Sequence, residues 1–74
     1  MEHVRWESRT RWYEVRLERD LLQDWVLTQT WGGRSNRRGG LLRRVVTSWE
    51  EGRALQEKVH ERRARRGYAV VALQ

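Results

Sequence analysis

A tryptophan followed by a stretch rich in glycine and arginine is the part of this 74-residue sequence best suited to chemistry. Trp31 opens the stretch, and residues 32–40 (GGRSNRRGG) carry glycines at both ends. Backbone amides and guanidinium groups bind phosphate oxygens, and an indole offers a flat face to a base or a sugar. The segment therefore predicts a phosphate-binding loop. The alternative is a solvated basic hairpin loop whose tryptophan belongs to the core.

The candidate nucleic-acid-binding residues lie in this loop and directly after it. They are Trp31, Gly32, Gly33, Arg34, Arg37, Arg38, Arg43 and Arg44. We expect Trp31 to be the stacking platform and the loop arginines to contact phosphates. Arg43 and Arg44 are expected to contribute only in part, because neighbours on a regular strand point to opposite faces unless a bulge intervenes.

The net charge of +6, from 16 Lys+Arg against 10 Asp+Glu, is concentrated in the same region. Residues 29–49 hold five arginines and no acidic residue. This charge favours an anionic partner, because guanidinium groups match phosphate geometry. A GC-rich genome is an alternative origin of the preference for arginine over lysine. A further basic run, residues 62–66, is explained mainly by the dipole of the helix that carries it, with a second phosphate-binding surface as the alternative.

Composition excludes several other functions. The sequence has no cysteine, and its two histidines, His3 and His60, stand apart from any nucleophile or carboxylate that would make an evident catalytic set. We therefore expect no enzyme, no cofactor and no metal site. No apolar run approaches the roughly 20 residues of a transmembrane helix, and no signal peptide opens the chain. We expect a soluble cytoplasmic protein without a membrane partner.

Four segments must position the loop. Residues 12–19 and 25–31 have a period-two pattern that predicts strands, and residues 41–47 and 68–73 are predicted to be a third and a fourth strand. Ser48 and Glu51 have the spacing of a capping box and predict a helix start, while Gly67 predicts the helix end. Within the helix, Gly52, Leu55 and Val59 share the face that should pack on the sheet, and Gly52 should allow a close approach.

The expected fold is α+β, a small antiparallel sheet in the order β-β-β-α-β with one helix packed on one face. Residues 1–10 are expected to form a loose N-terminal arm and residues 11–74 a single domain. Residues 20–24 should connect the first two strands, with Leu21 and Leu22 covering the core.

The order of several short motifs resembles that of the WGR domain family, over roughly residues 12–68. The motifs are Leu17-Glu18-Arg19-Asp20-Leu21, Asp24-Trp25-Val26-Leu27, Trp31-Gly32, Arg37-Arg38-Gly39-Gly40, the capped helix, and Arg65-Arg66-Gly67-Tyr68. The family occurs in poly(ADP-ribose) polymerases and as short stand-alone proteins in bacteria. The resemblance implies an antiparallel sheet with one helix that binds DNA at strand breaks. It implies a stand-alone bacterial WGR module rather than a polymerase.

The motif tryptophan of that family packs on the DNA end, and its motif arginine bridges DNA to neighbouring domains. Trp31 and Gly32 match the motif, but Gly33 occupies the arginine position and Ser35 stands where the family usually has glycine. Either Arg34 substitutes from one position along or the arginine contact is lost.

The sequence thus predicts a nucleic-acid-binding module that contacts phosphates, with DNA a better candidate than RNA. The alternative is a protein-interaction module that uses the basic Trp-Gly loop or an edge strand to hold an acidic partner. The sequence leaves open whether the chain forms a homo-oligomer.

Overall fold

The computed structural model describes residues 3–36 and 38–73. The elements follow in the order β1 (His3–Glu7), β2 (Arg11–Arg19), β3 (Trp25–Gly33), β4 (Gly39–Val46), α1 (Trp49–Arg65) and β5 (Ala69–Leu73). The strands form one antiparallel sheet in the spatial order β4-β3-β2-β1-β5. The predicted α+β class, a small antiparallel sheet with one helix, is confirmed.

Strand β1 lies inside the sheet, where the sequence had predicted a loose arm for residues 1–10. Val4 and Trp6 point into the core and are only 2% and 1% exposed. Arg5 lies on the opposite face, where its Nη1 donates to Glu14 Oε1 of β2 at 2.7 Å. The arm prediction is therefore wrong for His3–Glu7, and the order β-β-β-α-β lacked its first strand. Alternation of apolar and charged residues does mark this strand, but over only five residues.

Helix α1 begins as its capping sequence predicts and lies close against the sheet. Ser48 Oγ accepts a hydrogen bond from the Glu51 backbone amide at 3.1 Å, while the Glu51 carboxylate accepts from the Thr47 hydroxyl. A Cβ built on Gly52 would lie 2.4 Å from Leu17 Cδ1, so any larger residue would force the buried Leu17 side chain or the helix to move. The predicted close approach at Gly52 is confirmed.

The core lies between the helix and one face of the sheet. Its buried apolar members are Val4, Trp6, Val15, Leu17, Leu27, Val46 and Val59. The helix also ties itself to the N-terminal strand by a polar contact, since Trp6 Nε1 donates to His60 Nδ1 at 3.2 Å. Gln56 is buried as well, and its Oε1 accepts from Arg53 Nη1 at 2.8 Å. This helix face is therefore more polar than Gly52, Leu55 and Val59 alone suggested.

The connection between β2 and β3 is a tight turn that projects away from the core. Asp20 Oδ1 accepts from the backbone amides of Leu22 and Asp24, each at 2.9 Å, and Gln23 has a positive φ of 68°. Leu21 is 99% exposed and Leu22 81% exposed. The expectation that these leucines cover the core is wrong, because the aspartate-held turn directs both outward.

Candidate nucleic-acid interface

The Trp-Gly segment is more regular than the sequence predicted. Strand β3 continues through Gly33 and β4 begins at Gly39, so all four glycines of the predicted loop belong to strands. The Gly33 amide donates to the Arg38 carbonyl at 3.0 Å, and Asn36 Oδ1 accepts from the Arg38 amide at 2.9 Å. Arg37, one of the candidate residues, lies outside the described residues.

Two tryptophans at this end of the sheet each cover a glycine on the neighbouring strand. Trp31 is paired with Gly40, and a Cβ on Gly40 would lie 2.6 Å from Trp31 Cζ2. Trp12 is paired with Gly32, and a Cβ there would lie 2.8 Å from Trp12 Nε1. Residues 12 and 31 belong to opposite faces of the sheet by their register. The glycines thus let one indole lie close to the backbone on each face.

Trp31 belongs to a row of aromatic rings on the face that carries the helix. Its ring is stacked beside that of Tyr13, with centroids 6.0 Å apart and planes inclined by 14°. The Tyr13 hydroxyl donates to Gln29 Oε1 at 2.6 Å, which fixes the orientation of the ring. Trp31 nevertheless remains 37% exposed, so part of the indole is free to meet a ligand.

The end of the helix contributes an arginine to this row. The Arg63 guanidinium carbon lies 4.5 Å from the centroid of the Tyr13 ring and 5.3 Å from that of Tyr68. Burial raises the pKa of Tyr13 above its ordinary value, although the charges of Arg63 and Arg62 oppose that rise. Tyr13 therefore stays a neutral hydrogen-bond donor at physiological pH, and Arg63 supplies positive charge beside it.

A cavity of about 730 Å³ lies around these rings, between the end of the sheet and the last turn of the helix. Its described lining includes the aromatic residues Tyr13, Trp31 and Tyr68 and the arginines Arg11, Arg38 and Arg63. Trp12, which belongs to the opposite face of the sheet, also borders it. None of the described lining residues is acidic. Flat rings beside uncompensated guanidinium groups suit a ligand that is both planar and anionic.

Arg34 is directed away from this cavity. Its Nη1 donates to the Ser8 carbonyl at 3.2 Å, and its Nη2 lies 3.7 Å from Glu7 Oε1. The side-chain position at Gly33 is filled by Asn36, since a Cβ there would lie 2.4 Å from Asn36 Oδ1. Arg34 therefore does not take the place beside Trp31 that the motif arginine would have.

Arg43 and Arg44 lie farther along β4 and do not line the cavity. Arg43 is paired with Thr28 and Arg44 with Leu27, so the two side chains belong to opposite faces of the sheet, as strand geometry predicts. Of the candidate residues, the structure brings Trp31, Gly32, Gly33 and Arg38 together at the cavity and leaves Arg34, Arg43 and Arg44 outside it.

Most of the described cavity residues were absent from the candidates, among them Arg11, Tyr13 and Arg63. The signal for Arg63 was present, because it lies four residues after Val59 on the helix face that packs on the sheet. Tyr13 shares its strand face with Val15 and Leu17, which also placed it on the core side. Arg11 is the first residue of β2, which begins one residue earlier than predicted, and it shares a strand face with Tyr13.

No family model, curated protein or solved structure gives a significant match to this chain. Within residues 3–36 and 38–73, no helix has both the length and the apolar character needed to cross a membrane. The same residues contain no group of three or more His, Asp or Glu side chains placed to hold a metal ion.

Proposed function

We propose that the chain is a nucleic-acid-binding module, with DNA preferred to RNA, that contacts phosphates and reads little base sequence. The observation that carries the proposal is the cavity in which Trp31 and Tyr13 lie beside Arg38 and Arg63 without a described acidic neighbour. A base or sugar would rest on the indole, and the guanidinium groups would hold the adjoining phosphates.

The size of the cavity agrees with this class of ligand. Its volume of about 730 Å³ falls within the roughly 300–1,000 Å³ of known small-ligand sites, which is room for a nucleotide rather than a duplex. Stacking of a base on an aromatic side chain contributes about 1–3 kcal/mol whatever the base, because every base has a π-face. The site therefore favours recognition of an unpaired or terminal nucleotide through its shape and charge.

Membership of the WGR family belongs to the same proposal. The motif pair Trp31-Gly32 lies at the cavity, and Arg38 and Arg63 line the same cavity, whereas Arg34 lies outside it beside Glu7. The resemblance supports the proposal of a bacterial module that has no catalytic activity of its own and is located in the cytoplasm. Arg43 and Arg44 are left out of the proposed DNA contacts because they lie away from the cavity.

The test is a fluorescence anisotropy titration with single-stranded, blunt duplex and nicked DNA, and with single-stranded RNA, at two salt concentrations. If three arginines each meet one phosphate, the slope of log K against log salt should be roughly −2.1 for single strands and −2.7 for duplex DNA. Trp31→Ala should weaken binding by about tenfold through the lost stacking.

The matched control is Arg43→Ala/Arg44→Ala, which removes two positive charges outside the cavity. It should change affinity less than Arg38→Ala/Arg63→Ala does. A slope near zero with every nucleic acid would refute the proposal. If the two double variants lose affinity equally, the binding surface is not the cavity.

A further inference from the structure

Strand β4 is an outer strand of the sheet with one side of its backbone unpaired by any described strand. Its ladder with β3 is regular over eight residue pairs, whereas the other outer strand, β5, pairs with β1 through an irregular register at Arg5 and Trp6. Leu41, Leu42 and Val45 are 61%, 52% and 64% exposed. A long, regular and apolar edge is a template for another strand, because its free amides and carbonyls can extend the sheet.

The centre of this edge carries two positive charges that nothing described here neutralises. Arg43 and Arg44 are exposed, and neither makes a salt bridge to a carboxylate of residues 3–36 or 38–73. Arg43 lies on the open face of the sheet with Val45, and Arg44 lies on the helix face with Leu42. The edge therefore presents, in order, an apolar residue, two arginines on opposite faces, and an apolar residue.

We propose that β4 binds an extended segment of another protein by strand addition, with two consecutive acidic residues opposite Arg43 and Arg44 and apolar residues on either side. Consecutive side chains of a strand alternate between faces, so two adjacent carboxylates would reach both arginines at once. The backbone of the segment would satisfy the free amides and carbonyls of β4. The cavity at Trp31 shares Gly39 and Leu42 with β4, but Arg43 and Arg44 do not line it. The inference rests on these two arginines and on the unpaired backbone, and so does not depend on the proposed nucleic-acid site.

A nucleic acid or a second copy of the chain fits this edge less well. A phosphate backbone has no alternating amides and carbonyls to extend the sheet, and it would have to contact arginines on both faces. A second β4 strand would bring two more arginines and no carboxylate, since residues 39–46 contain no acidic residue. In antiparallel pairing centred on either arginine, like charges would lie directly opposite each other.

The test uses two dye-labelled, end-capped ten-residue peptides that differ only at their centre, Val-Glu-Glu-Val or Val-Lys-Lys-Val. Binding to the full chain is followed by anisotropy. We expect the acidic peptide to bind and Arg43→Glu/Arg44→Glu to weaken it by about tenfold while gaining affinity for the basic peptide. Arg65→Glu/Arg66→Glu makes the same charge change on the exposed end of the helix. This variant should not switch its preference from the acidic to the basic peptide. Circular dichroism verifies that both variants fold.

Two further peptides separate strand addition from simple charge attraction. Each is the acidic peptide with N-methyl groups on alternate residues, in one or the other phase. One phase should abolish binding because its methyl groups occupy the side facing β4, and the other should retain it. Equal binding by both phases, or equal weakening by the two charge-reversal variants, would overturn the proposal.

Two other measurements identify a different occupant. If single-stranded DNA displaces the peptide that is bound to the Trp31→Ala variant, Arg43 and Arg44 belong to a nucleic-acid-binding surface. Sedimentation of the chain as a dimer that Val45→Lys dissociates would assign the edge to a second copy. Either result would overturn the proposal, whereas a monomer that keeps its peptide in excess DNA supports it.

Discussion

The indole of Trp31 lies against Gly40 of the neighbouring strand, so closely that a methyl group on Gly40 would be 2.6 Å from Trp31 Cζ2. No real Cβ contact is that short, and either the ring or the strand would have to move. The exposed part of Trp31, which forms the proposed stacking surface, therefore depends on the absence of a side chain on the strand beside it.

Gly40→Ala should displace the Trp31 ring and weaken DNA binding by several-fold, with a loss of stability of about 1 kcal/mol from local overpacking. Both effects are measured by anisotropy and by urea unfolding. In a Trp31→Ala background the ring is gone, so the added methyl group should have little further effect on either quantity. Additive effects of the two substitutions on DNA affinity would show that Gly40 does not act through Trp31.

Arg63→Gln should weaken DNA binding and reduce the salt slope by about 0.7–0.9, because Arg63 is expected to hold one phosphate. Its neighbour on the helix end, Arg66, is exposed and does not line the cavity, so Arg66→Gln is the matched control. We expect Arg66→Gln to reduce the slope of log K against log salt by less than Arg63→Gln does. Identical slopes for the two variants would mean that only overall charge attracts DNA.

His60→Leu should destabilise the fold by about 1–3 kcal/mol, because it leaves the Trp6 indole N–H without an acceptor in a position that is 1% exposed. The free energy of unfolding in urea measures this loss. A smaller loss is expected when Trp6 is already Phe, since the phenyl ring needs no acceptor. If the loss is the same in both backgrounds, the hydrogen bond is not its cause.

Stability should fall in acid partly through Glu14. Burial alone would raise the pKa of this carboxyl, but the hydrogen bond and charge of Arg5, with the charges of His3 and Arg16, hold it below its ordinary value of 4.5. Because the folded-state pKa is the lower one, the stabilisation is fully present above pH 4.5 and is lost as pH falls through the depressed pKa.

Urea unfolding between pH 3 and pH 7 tests this expectation. Glu14→Gln should flatten the acid limb of the stability profile. Glu18→Gln, an exposed position on the same strand and face, serves as the control and should keep the profile of the wild type. If both substitutions flatten the profile equally, the loss of stability in acid does not come from the Arg5–Glu14 contact.

The elements with long or strongly marked patterns were predictable from the sequence. Strands β2 and β3 and the capped start of α1 follow from alternation and from Ser48, because these signals depend on neighbours along the chain. Strand β1 was missed since five residues give too short a pattern to outweigh the polar surroundings. The apolar character of Leu21 and Leu22 favoured burial, but the Asp20 carboxylate holds a turn that directs both side chains outward.

Only the part of the candidate site that lies on a single strand was predictable from the sequence. Trp31 and Gly32 followed from the motif, but the ion pair between Arg34 and Glu7 depends on β1 lying beside β2, which local sequence did not show. The stacking of Arg63 on Tyr13 likewise joins the helix end to a strand about 50 residues earlier. Contacts of this kind are set by tertiary packing, and residue types alone do not select among the available arginines.

The antiparallel pairing of β1 with β5, in which Val4 lies opposite Leu73, has a consequence for how the fold assembles. Strands β2, β3 and β4 are joined by short turns and can form early, whereas the β1–β5 seam closes the longest loop in the described chain. We expect this seam to form last and to exchange its amide hydrogens fastest.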